Sequence, residues 1–170
     1  MKKFLVLGAV IFGLLISNGA FAQTKIAILD ADRVILESQK GKAFLKELDA
    51  FAKQKDAEIK KKVAEFQQLE KEYRAKAASL SEDKAMEMQK KLSDMQIEIK
   101  RMQDDAKREF QLKQTKGFEK FRKILQPIVE QIAKEKGIDI VFSRAQSGIA
   151  YFSPAVDITP EVIKRFDASK

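Results

Sequence analysis

Ala78-Ser79-Leu80-Ser81-Glu82-Asp83-Lys84 is a short polar break between two long runs whose apolar residues recur on a helical period. Reading it as the tip of a hairpin decides the fold. Ser79 and Glu82 stand at capping-box spacing, and Ser81 followed by two acids would also start a helix well. Before the break, apolar residues recur at Phe44, Leu48, Phe51, Ile59, Val63, Phe66, Leu69, Tyr73, Ala77 and Leu80. Counting Lys55 in the one long gap, the mean step is about 3.6 residues, one face of an α-helix. After the break, Met88, Leu92, Met95, Ile99, Met102, Ala106 and Phe110 step 4-3-4-3-4-4. That is a coiled-coil stripe with a stutter near Ala106. Two such helices joined by a short turn fold back antiparallel. With residue 81 as the tip, Phe66 falls opposite Gln96, and Ile59 opposite Met102 and Gln103. A helix from Lys40 to Ala78 is ~58 Å long at ~1.5 Å per residue. An arm so thin builds no globular core, so something at its base must hold it.

The base comes from the two ends of the chain. Thr24-Lys25-Ile26-Ala27-Ile28-Leu29-Asp30 reads as a strand, and Asp30-Ala31-Asp32 supplies cap and turn residues before a helix from Arg33. Gly117 and Pro127 are expected to interrupt the descending helix, Pro127 with a kink or a break because it removes the bond to the Lys123 carbonyl. Ile124, Leu125, Ile128, Val129 and Ile132 give the next segment a broad apolar face, and Lys134-Glu135-Lys136-Gly137 is a helix stop. Ile138-Asp139-Ile140-Val141-Phe142 reads as a strand, Gln146-Ser147-Gly148 as a turn, and Ile149-Ala150-Tyr151-Phe152 as a further strand. Thr159 as N-cap and Pro160 at the first helical position open a terminal helix carrying Val162, Ile163 and Phe166. The expected fold class is α+β. A small β body (23–40 with 117–170) carries a long antiparallel helical hairpin (41–116). A three-stranded body of 72 residues with no disulfide is marginal alone, which points to oligomerisation.

Composition narrows the chemistry. The 170 residues hold 33 Lys+Arg against 25 Asp+Glu, a formal charge of +8, with no His and no Cys. No imidazole or thiolate is available for a catalytic triad, a zinc site or a disulfide. Neither catalytic residues nor a metal or cofactor are expected, and an enzyme using two carboxylates is a distant reading, since solvated helix faces offer no enclosed cleft. Met1-Lys2-Lys3, the apolar run Phe4 to Ile16 and the small-x-small Ala20-Phe21-Ala22 read as a signal peptide over residues 1–22, cleaved after Ala22. The run is too short to favour a permanent span. Export to a bacterial periplasm follows, leaving a mature side-chain charge of +6. A periplasmic chain seldom meets nucleic acid, and no phosphate-binding loop of the P-loop type appears.

The order of these elements resembles the Skp/OmpH family of periplasmic chaperones. The residues that carry it are Lys25-Ile26-Ala27-Ile28-Leu29-Asp30, Leu125-Gln126-Pro127-Ile128-Val129, Ala133 to Val141, and Asp157-Ile158-Thr159-Pro160-Glu161-Val162-Ile163-Lys164-Arg165-Phe166-Asp167. The resemblance implies a homotrimer with strands of each chain in a central intersubunit β-barrel and three projecting arms. It also implies ATP-independent holding of unfolded outer-membrane proteins between those arms. Ile26, Ile28, Ile140, Phe142 and Tyr151 are then the candidates for the trimer core. The other reading is a structural envelope or adaptor protein whose hairpin docks onto another coiled coil.

On the arm, Met88, Met95 and Met102 read as coiled-coil core rather than adaptable client contacts. Met86 falls off the stripe and is the better client candidate. Ile97 and Leu112 also lie off it, facing either a cavity or plain solvent. Lys60-Lys61-Lys62 is a solvated face or a site of attraction to acidic clients, anionic lipid or lipopolysaccharide. Residues 40–78 carry a net +4 against +1 for 79–116. Phe118 and Phe121 with Lys120, Arg122 and Lys123 imitate a basic-aromatic nucleic-acid stripe. Their steps of three and four to Leu125 favour a buried helix face instead.

Overall fold

The computed structural model describes residues 23–169; the expected signal peptide, residues 1–22, lies outside them. In chain order come β1 (Ile26–Leu29), α1 (Ala31–Glu37), α2 (Gln39–Lys76), a 3-10 turn (Ala77–Ser79), α3 (Glu82–Lys136), β2 (Ile140–Ser143), α4 (Arg144–Ser147), a second 3-10 turn (Pro154–Val156) and α5 (Thr159–Ala168). The strands β1 and β2 pair in parallel, with Ile26 beside Ile140 and Ile28 beside Phe142. The whole hairpin is therefore the crossover between two neighbouring parallel strands.

The hairpin has the expected register. Across it, Lys62 Nζ meets Glu98 at 2.7 Å, Lys55 Nζ meets Glu109 at 2.9 Å, Lys113 Nζ meets Glu47 at 2.7 Å, and Gln89 Nε2 donates to Tyr73 Oη at 2.6 Å. Each pair is centred within one residue of position 81. The stripe from Met88 to Phe110 is half-buried at every predicted position. Lys55 is no gap in the facing stripe: its ammonium lies 5.4 Å from the Phe51 ring centroid, and its head reaches out to Glu109.

The tip closes differently from the capping-box reading. Ser81 adopts the extended N-cap backbone of α3 but makes no side-chain cap, and Ser79 Oγ donates back to the Lys76 carbonyl at 2.9 Å. Ala85 N–H bonds to the Ser81 carbonyl at 2.9 Å, and Glu82 and Asp83 supply negative charge to the first turn.

Three expectations for the base are corrected. The first concerns α3, which runs unbroken through Gly117 and Pro127. Pro127 and Lys123 both face solvent, where water can take the freed carbonyl, while Leu125 and Ile132 on the opposite side are buried and keep the segment helical. Gly117 is a seat rather than a stop. A Cβ there would lie within 2.9 Å of three ring carbons of Phe44, so glycine lets that ring wedge between the helices, edge-on to Phe118 and Phe121.

The second correction is that residues 149–152 form no strand in the single chain. After β2 the chain enters the single turn α4, held by Arg144 Nη1 on Asp30 Oδ2 at 2.8 Å. The free side of β1 is met instead by one parallel bridge from Ile28 to Asp157.

Thirdly, Thr159 does not cap α5. Its buried Oγ1 accepts from the Asp30 amide at 3.0 Å, and the Asp157 carboxylate accepts from Thr159 N–H at 2.9 Å. The core, on one side of the sheet, gathers Ala27, Val34, Phe121, Leu125, Ile132, Ile158, Val162 and Phe166.

Candidate functional site

Strand alternation divides the sheet into two faces. Ala27, Leu29 and Val141 turn towards the helices and join the core. Ile26, Ile140 and Phe142 turn the other way and remain 44%, 43% and 39% exposed. Ile28 shares their face but is buried, beside the crossing of Asp157. Tyr151, in the segment that forms no strand, is 84% exposed. Of the five residues proposed for the trimer core, one is thus used in the chain's own packing. The other four are left uncovered, three of them on one apolar sheet face and Tyr151 in the segment that follows α4.

A polar knot around the buried Asp30 fixes the strand ends behind that face. Asp30 caps α1 by accepting from Arg33 N–H at 3.1 Å and is bridged by Arg144. Arg33 in turn holds Asp157 at 3.0 Å. Burial opposes ionisation of Asp30, but the Arg33 amide and the Arg144 guanidinium outweigh it and keep the carboxyl below its ordinary value. Burial likewise opposes ionisation of Asp157, and the hydrogen bonds from Thr159 and Arg33 outweigh it. Both acids are structural anchors, each already satisfied by its partners. Among the described residues, no group of three or more His, Cys, Asp or Glu is placed to hold a metal ion. No helix there is long and apolar enough to cross a membrane.

On the arm, Met86, Ile97 and Leu112 are all about half-exposed. They are separated by 11 and 15 residues, which at ~100° per residue puts them within about 80° of one another. The seam stripe of α3 lies on the opposite side of the helix. The three therefore share the outward face of one helix, a grouping that spacing alone could have revealed. The lysine run splits. Lys62 turns inward to Glu98, Lys60 pairs with Asp56 one turn back at 2.6 Å, and Lys61 makes no ion pair among the described residues. Phe121 and Leu125 are buried as expected, whereas Phe118 keeps 38% of its surface exposed beside the Phe44 wedge. Leu36, 59% exposed on α1, had no signal in the sequence.

Residues 25–166 match the model of the family described as outer membrane protein (OmpH-like). No curated protein matches the chain. A solved structure from Caulobacter crescentus CB15, assigned as an outer membrane chaperone (OmpH-like), superimposes with a TM-score of 0.78. The match covers 86% of this chain and 85% of that one at 20% identity, a likeness of fold.

Proposed function

The chain belongs to the OmpH-like outer membrane protein family, and from that premise we propose that it is an ATP-independent periplasmic holdase for unfolded outer-membrane β-barrel proteins. The observation that carries this reading is the outward face of α3, where Met86, Ile97 and Leu112 stay exposed along an arm whose other large apolar side chains are at least partly buried. Unfolded barrel proteins expose alternating apolar strands that aggregate through their edges. Scattered apolar contacts and exposed lysines, Lys61 among them, hold such a chain weakly at many points, so avidity replaces one tight site. Thioether and aliphatic side chains suit varied sequences, because they repack without fixed hydrogen-bond geometry. No nucleotide or other cofactor enters the scheme.

Holding requires a cavity, and one arm encloses nothing. Our reading is that the bodies (23–40 with 117–170) assemble as a homotrimer with arms 41–116 projecting together. Ile26, Ile140, Phe142 and Tyr151 are then covered by neighbouring chains as an intersubunit β-barrel, with Ile28 beneath them. A Phe142→Asp variant is expected to sediment as a monomer where the unaltered protein sediments as a trimer. A monomer in both cases would overturn the assembly.

The holdase reading is tested by diluting a urea-denatured outer-membrane barrel protein into buffer with the mature protein and no ATP. Light scattering should be suppressed at small molar excess. Replacing Met86, Ile97 and Leu112 together by Ser should weaken that suppression several-fold with the helix content unchanged. Undiminished aggregation in the presence of the unaltered protein would sink the reading and leave the arm as an adaptor for another coiled coil. Adding vesicles of anionic lipid or lipopolysaccharide at low and high salt checks the proposed contact with Lys60 and Lys61, which salt should weaken.

A further inference from the structure

One flank of the hairpin's root carries a hollow that neither the sheet face nor the outward face of the arm uses. It lies between α2 and α3 with a volume of about 610 Å³, within the size range of small-molecule sites. Ala43, Phe44, Phe121 and Ile124 make its apolar lining, and exposed lysines make its rim basic. Of the rim lysines, Lys113 is bound to Glu47 at 2.7 Å, and Lys40 is turned to the Ser169 carbonyl. Lys116 and Lys120, one helical turn apart, are exposed and make no ion pair among the described residues.

The lining also tells what the hollow cannot take. Every lining residue belongs to α2 or α3, away from the helix ends except Lys40, so its amides and carbonyls are already bonded within a helix. A peptide laid there would find no backbone partners for its own amides. The polar groups on offer are cationic donors at the rim, with Glu47 already engaged by Lys113. The matching ligand is apolar along its length and bears anionic acceptors at one end.

We propose that this hollow binds a long-chain fatty acid as its carboxylate. The acyl chain lies on Phe44, Phe121 and Ile124, and the carboxylate sits between Lys116 and Lys120. The lysine stems cover the chain while their ammonium groups meet the head. The site stands independently of the holdase reading, because no client is needed to observe it.

The test is calorimetric titration of the full mature protein with palmitate and laurate below their micelle concentrations. Palmitate is expected to bind, and each further methylene buried should tighten binding about fourfold. The Lys116→Glu/Lys120→Glu variant and the methyl ester of palmitate should each bind at least tenfold more weakly. Ala43→Phe, which puts a ring into the hollow, should do the same. The two lysines are exposed, so their variant decides the matter even if Ala43→Phe does not fold. Absence of palmitate binding, or binding unchanged in the lysine variant, overturns the proposal. So does binding of a lysophosphatidate when palmitate does not bind, since the head is then a phosphate.

Discussion

Phe166→Ala is expected to cost about 3–5 kcal/mol of stability, the range for emptying an aromatic site in a packed core. Phe166 is fully buried, edge-on to Phe121 at 5.3 Å between centroids, with the Lys40 ammonium 5.2 Å from its ring centre. It joins α5 to both long helices. The body has few other such residues to share the loss, and the stability of a domain is only about 5–15 kcal/mol. The damage should also spread to the arm's root. Asp167, the next residue, accepts from the Gln39 amide at 2.9 Å and the Lys40 amide at 3.3 Å, and so caps the start of α2. Urea unfolding followed by far-UV dichroism measures the loss. Amide exchange should show protection falling in 31–41 and 159–169 before the hairpin seam. Phe166→Leu, which keeps most of the volume, should cost much less. Equal losses for the two variants would mean that the ring packing is not what holds α5.

The arm was legible in the sequence and the body only partly so, for one physical reason. Helix contacts repeat every three or four residues, so Phe44 to Leu80 and Met88 to Phe110 announce their own faces. A polar break of seven residues then fixes the register between them. Strand pairing is not local. Ile149 to Phe152 has the composition of a strand, yet the chain does not bring it to the open edge of β2, because Arg144 draws the preceding residues into a helical turn on Asp30. The expected break at Pro127 does not occur, for the opposite reason. A single lost hydrogen bond on a solvent-facing side is outweighed by the buried face that carries Leu125 and Ile132. Thr159 looks like a cap in the sequence because its partner, the Asp30 amide, is 129 residues away.

Gly117 lay between these cases. The register about residue 81 puts Phe44 opposite Phe118, and a glycine beside that position is the seat for a ring. The signal was present, but it needed the hairpin first. Met86, Ile97 and Leu112 likewise stand apart in the sequence as single residues off the stripe. Their common direction emerges only when the 11- and 15-residue spacings are laid on the helix as angles.

Gly41→Ala should be destabilising although alanine is the better helix former by about 1 kcal/mol. The reason is the corner between α1 and α2. Ser38, fully buried and extended, ends one helix and caps the next: its amide bonds to the Val34 carbonyl, and its Oγ accepts from Gly41 N–H at 3.0 Å. The two helices turn on this one residue, which brings Gly41 against the backbone of Ile35. A Cβ on Gly41 would stand within 2.8 Å of the Ile35 carbonyl oxygen, its carbon and its Cα. Backbone in that position has little freedom to yield, since Asp30 pins the start of α1 and Asp167 pins the start of α2. Overpacking of this kind costs about 1–3 kcal/mol or more, and Gly41→Val should exceed Gly41→Ala. The comparison with Gly117→Ala isolates the cause, because there the obstacle is the Phe44 ring, a side chain that can swing aside. The expected order of loss is therefore Gly41→Val, then Gly41→Ala, then Gly117→Ala, read from urea midpoints. If Gly41→Ala raised the midpoint instead, helix propensity would be outweighing the corner, and the arm's direction would be set by α3 alone.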